Sequence, residues 1–84
     1  MQNKILIELI VPEIDEIFDI YIPINRKIGN VIVLLNKSLF ELTNGVYQGT
    51  DKSMLYGRET GEMYSINSLV RETNIKSGSC IVLL

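Results

Sequence analysis

The chain has 84 residues, 46% of them hydrophobic and 21% charged, with 8 Lys and Arg against 10 Asp and Glu for a net charge of −2. That length supplies one small core and no second, so residues 1–84 read as a single domain. The signs are interspersed, which leaves no electrostatic footprint for nucleic acid or an anionic membrane. One cysteine and no histidine exclude an internal disulfide and most zinc sites. The apolar run Ile5 to Val11 is interrupted by Glu8 and is too short to cross a bilayer, so a soluble, cytoplasmic protein without membrane insertion is expected.

From Asn3 to Val11, residues Ile5, Ile7, Leu9 and Val11 share one parity, and Leu6, Glu8 and Ile10 share the other. This is the pattern of a strand with one fully apolar face. Pro12 to Glu16 combine a proline with three carboxylates and read as a turn. Ile17 to Ile22 then resume an alternation, with Phe18, Ile20 and Ile22 opposite Asp19 and Tyr21, so the two strands form a hairpin. Pro23 ends it, because proline has no N–H to give a ladder.

A helix is predicted over residues 28–43. At about 100° per residue, Ile28, Val31, Ile32, Leu35, Leu39 and Leu42 form a core-facing stripe, while Asn30, Lys37 and Glu41 take the wet side. Thr43, Asn44 and Gly45 supply a left-handed stop. Val33 and Phe40 share a flank outside the stripe. Either the following loop, Val46 to Ser53, folds over them, or they form an exposed ridge that binds a partner.

Ser53 to Tyr56 and Glu62 to Tyr64 read as short strands around a turn at Arg58 to Gly61. Ser65 to Ile75 reads as a packed loop with a helical turn, Lys76 to Gly78 as a turn, and Ser79 to Leu84 as a final strand.

No constellation in this sequence carries catalysis. Glu13, Asp15 and Glu16 lack the ligand spacing and the glycine of a calcium loop. Gly45 to Ser53 has no lysine directly after its second glycine and joins no strand to a helix, so it is not a phosphate loop. Without histidine the usual base for a serine or cysteine nucleophile is missing, and Cys80, among aliphatics, reads as a small buried or half-buried hydrophobe rather than a reactive thiol. The tyrosines are not interleaved with Lys or Arg as a base-stacking surface requires. No catalytic, metal-binding or cofactor-binding residue is assigned, and no enzyme activity is expected.

The order of elements resembles the ubiquitin-like β-grasp, an α+β fold in which a mixed four- to five-stranded sheet packs on one main helix. The likeness is most visible in Leu69, then Asn74, Ile75, Lys76, Ser77 and Gly78, leading into Ile81 to Leu84. Within that superfamily, Phe18 to Pro23, the stripe Ile28, Val31, Ile32, Leu35 and Leu39, and Gly78 with its apolar strand are similar to the small bacterial YukD/EsaB group. That group is associated with type VII (WXG100/ESX) secretion systems of Gram-positive bacteria. The resemblance implies a non-conjugating module that acts through protein–protein contacts, with secretion-system components as partners.

Conjugating ubiquitins and sulfur carriers need a flexible Gly-Gly carboxylate, whereas this sequence reaches Val82, Leu83 and Leu84 in strand, so a carrier or modifier is the disfavoured alternative. A self-associating subunit, a homodimer through Phe40 and the edge strands, is a third reading. Partner binding in ubiquitin-like proteins commonly uses the open face of the sheet. Parity on the last strand predicts Val82 and Leu84 there, with Leu55 as their neighbour on the middle strand, and Ile81 and Leu83 against the helix. The candidate protein-binding residues are thus Leu55, Val82, Leu84, Val33 and Phe40.

Overall fold

The computed structural model describes residues 3–84; Met1 and Gln2 of the expected single domain lie outside the described residues. Strand β1 (Lys4–Val11) leads through a short 3-10 turn at Pro12–Ile14 into β2 (Glu16–Pro23). Helix α1 (Ile28–Leu42), β3 (Leu55–Gly57), a second 3-10 turn at Val70–Glu72 and β4 (Cys80–Leu83) follow. The sheet order is β2-β1-β4-β3, with β1 antiparallel to β2 and parallel to β4, and β3 antiparallel to β4. The mixed sheet packed on one helix is the expected β-grasp arrangement. Among the described residues it has four strands, because Glu62 to Tyr64 makes only an isolated bridge from Met63 to Tyr56.

The hairpin follows its alternation. Ile7, Leu9 and Val11 of β1 and Ile22 of β2 are buried, with Ile5, Phe18 and Ile20 packed against them. The turn closes where Asp15 adopts a left-handed conformation (φ 53°) and its N–H donates to the Pro12 carbonyl at 3.1 Å. The register also explains Pro23. Ile24 N–H donates to Asn3 O at 2.9 Å, so the even-numbered residues of β2 bond to β1 and the odd-numbered ones turn their backbone groups outward. Proline at an outward position costs the ladder nothing.

The helix has no side-chain cap at its start. Instead the loop before the second 3-10 turn receives its first N–H groups, Ile28 N–H donating to Ser68 O at 2.8 Å and Gly29 N–H to Ile66 O at 3.0 Å. Ile28, Val31, Ile32, Leu35 and Leu39 are buried as the stripe predicts, each burial contributing about 1.5–3 kcal/mol. Leu42 departs from the expectation and is 63% exposed. Tyr47 closes that end of the core instead: its N–H donates to Thr43 Oγ1 at 2.9 Å and its hydroxyl to Asn36 Oδ1 at 3.0 Å, bringing the ring back against the helix. The stop forms as read, with Asn44 at φ 53°, Gly45 at φ 81° and Gly45 N–H donating to Phe40 O at 2.8 Å.

Candidate interaction surface

Parity in the hairpin and final strand decides which side chains face away from the helix. With Ile7, Leu9 and Val11, then Phe18, Ile20 and Ile22, then Ile81 and Leu83 on the core side, the alternate residues make up the open face. The strand register aligns them in rows. Ile17 pairs with Ile10, Ile10 with Val82, Val82 with Tyr56, and Tyr56 bridges Met63. One line of five apolar side chains thus crosses the whole sheet. Ile17 and Met63 at its two ends are exposed, and Ile10, Val82 and Tyr56 between them are half-buried.

The next row is polar. Asp19 pairs with Glu8 and Glu8 with Cys80, whose Sγ donates to Glu8 Oε1 at 3.3 Å. Burial pushes the Cys80 thiol up, and the bond to Glu8 and its negative charge push the same way, against a smaller opposing effect of Arg58. The thiol therefore serves as a neutral donor and not as a thiolate nucleophile. Beyond it, Leu6 and Tyr21 form an exposed apolar pair.

The five sequence-predicted residues fall in four places. Val82 lies on the open face. Leu84, just beyond β4, is exposed and exchanges two backbone bonds with Met54, at 2.7 and 3.0 Å. Leu55 is a correction: it is 0% exposed and pairs with Leu83, on the core side of the sheet, so it cannot meet a partner. The open-face neighbour of Val82 is Tyr56. Val33 and Phe40 stand on the outer surface of the helix, 66% and 49% exposed, away from the open face. Loop 46–53 does not cover Val33, while the Phe40 ring leans toward Gly45, where an added Cβ would sit 3.4 Å from it.

Ile10, Ile17, Tyr56 and Met63 are open-face residues that sequence reasoning missed. For Ile10 and Ile17 the signal was present, since each lies in the parity opposite the buried residues of its strand. For Tyr56 and Met63 no local pattern distinguished the faces.

No helix among the described residues is long and apolar enough to cross a membrane. No family model matches the chain, and no curated protein matches its sequence. Solved structures do resemble it. The EccD5 ubiquitin-like domain from Mycobacterium xenopi superposes with a TM-score of 0.79 at 13% identity, covering 99% of this chain and 94% of that one. A ubiquitin-like domain from Arabidopsis thaliana gives a TM-score of 0.67 at 18% identity, covering 99% and 78%. A chain of the MycP5-free ESX-5 inner membrane complex gives 0.72 at 12% identity, covering 99% of this chain and 21% of that one. Identities this low speak to architecture alone, and on architecture they agree with the element order, the mixed sheet and the single packed helix: the chain has the ubiquitin-like β-grasp fold.

Proposed function

We propose that this protein is a non-enzymatic, non-conjugating ubiquitin-like interaction module, acting in the cytoplasm as an accessory or regulator of a type VII secretion apparatus by binding one of its protein components. The observation that supports binding is the apolar row Ile17, Ile10, Val82, Tyr56 and Met63 on the face away from the helix. Covering such a row removes apolar surface from water at about 25 cal/mol per Å², and the flanking Asp19 and Glu8 supply polar groups that orient a partner. The link to secretion rests on two likenesses: that of Phe18 to Pro23 and the helix stripe to the YukD/EsaB group, and that of the fold to the EccD5 ubiquitin-like domain and to a chain of an ESX-5 inner membrane complex.

Val82→Asp and Tyr56→Asp test this reading in a bacterium with a type VII system. Affinity capture with in-situ crosslinking is expected to recover a secretion ATPase or a WXG100 protein with the parent chain and to lose it with either variant. The thermal midpoints should stay within about 4 °C of the parent, as surface changes do. Undiminished capture by both variants would remove the open face from consideration.

A further inference from the structure

The two halves of the open face carry opposite charge. Its polar row begins with two carboxylates, Asp19 on β2 and Glu8 on β1, and continues with Cys80 on β4. The antiparallel register of β3 extends it by one place: Gly57 pairs with Ile81, and beyond that pair Arg58 N–H donates to Cys80 O at 3.2 Å. Alternation from the buried Gly57 turns the Arg58 side chain to the open face, where its cation bears on the Cys80 thiol. Asp19, Glu8 and Arg58 are all exposed. The row thus runs from two negative groups on the β2 and β1 half to a positive one on the β4 and β3 half.

The rows on either side divide in the same place. In the apolar row, Ile17 and Ile10 occupy one half, and Val82 and Tyr56 the other. In the third row Tyr21, 61% exposed, and Leu6, 37% exposed, project from the first half. Level with them on the second half is Gly78, whose N–H donates to Leu6 O at 2.8 Å and which has no side chain to project. Gly78 lines an open cavity of about 500 Å³ together with Arg58, Thr60, Lys76 and Cys80. One half of the face projects where the other recedes.

We propose that the open face binds a second copy of this chain, the two sheets packing face to face about a two-fold axis that runs along the strands between β1 and β4. This operation keeps every row level with itself and exchanges the halves. Asp19 of each copy then faces Arg58 of the other, and Glu8 faces Cys80. In the apolar row Ile17 meets Tyr56 and Ile10 meets Val82, while Tyr21 and Leu6 meet the cavity and Gly78. A two-fold axis along the polar row would instead set Asp19 on Asp19 and Arg58 on Arg58, and like charges in contact repel. Three rows on four strands span roughly 15 Å in each direction at ordinary sheet spacings. That is less than a standard interface, so the dimer is weak and reversible. It covers the row offered above to a secretion component, so such a partner must displace the second copy. The pairing itself rests on the charge and shape of the sheet and not on that function.

Sedimentation equilibrium and amide NMR of the purified protein at several concentrations test the dimer. The average mass is expected to climb from monomer toward dimer with a dissociation constant between about 10 µM and 1 mM, and the amides of Ile10, Ile17, Tyr56 and Val82 should shift along the same curve. Asp19→Arg and Arg58→Asp should each weaken association by about fivefold or more, since each sets like charges together at both symmetry-related contacts. Both positions are exposed, so thermal midpoints should stay within about 4 °C of the parent. An equal mixture of the two variants should associate to within about twofold of the parent, because every polar contact in the mixed dimer again joins a carboxylate to a guanidinium. Tyr21→Ala should weaken association by about threefold or more by removing the group that enters the cavity. The proposal is overturned by a mass that stays monomeric up to about 1 mM, by a mixture that associates no better than its components, or by shifts centred on Val33 and Phe40. No secretion component is present in these measurements, so their failure and the failure of the capture experiment above are read separately.

Discussion

Leu55 and Tyr56 are adjacent in β3 and have opposite environments. Leu55 is fully enclosed against Leu83, while Tyr56 stands half-buried beside Val82 on the far side of the sheet. Leu55→Ala should therefore cost about 2–5 kcal/mol by leaving a cavity, and Tyr56→Ala about 1 kcal/mol or less. Urea denaturation of the two variants checks this; equal losses would mean that the strand has been placed on the wrong parity. The sequence could not separate the two residues, because Met54, Leu55 and Tyr56 are apolar in both parities and a three-residue strand offers no further alternation. Only the pairing of β3 with β4 distinguishes them.

At the scale of the element, the helix shows how far periodicity reaches. Its stripe from Ile28 to Leu39 was legible because burial on an amphipathic helix depends on angle alone, yet Leu42 satisfied the angle and is exposed. Its end of the core is filled by Tyr47, which the bonds to Thr43 and Asn36 swing back, and no angular rule announces that return. By sequence the Val33 and Phe40 flank admits two readings, covered by loop 46–53 or exposed as a partner-binding ridge, and in the structure both side chains are exposed. Val33→Ala should be neutral or stabilising by up to about 0.5 kcal/mol, since alanine is the better helix former and no packing is lost. Phe40→Ala should cost about 1 kcal/mol, because about half of its ring surface is covered. Thermal melts of the two variants decide the matter, and a loss above about 2 kcal/mol at Val33 would mean that the flank is covered.

The whole molecule carries a pH signature on its alkaline side. Burial, and to a smaller degree the charge of Glu13, raise the Tyr47 phenol against a lowering bond to Ser53; burial and then Glu62 raise Tyr64. Burial and Glu8 raise the Cys80 thiol. A group whose pKa is higher folded than unfolded adds stability that is complete below its unfolded value and is lost as pH climbs through the folded one. Stability should hold at neutral pH, begin to fall above the ordinary thiol value of 9.0, and fall further above the ordinary phenol value of 10.0. Urea midpoints between pH 7 and 11 measure the decline, and Tyr47→Phe should flatten its upper part. A midpoint that rises across that window would contradict the assignment.

What the sequence determined by itself was local: a hairpin with one apolar face, a helix with one apolar stripe, a left-handed stop at Asn44 and Gly45, and a final apolar strand. Each is a repeat or turn preference read within about a dozen neighbouring residues, and together they sufficed for the β-grasp. The candidate surfaces were decided elsewhere. Ile17, Ile10, Val82, Tyr56 and Met63 come into one row only because β4 runs parallel to β1 in the register that pairs Ile10 with Val82, and β3 takes its register from β4 in turn. The two sheet edges likewise differ only in the folded molecule: Glu62 to Tyr64 covers β3, and no strand among the described residues lies beside β2. Pairings between residues so distant in the chain are set by how the sheet closes over the helix, and a period within one segment carries no information about its partner's register.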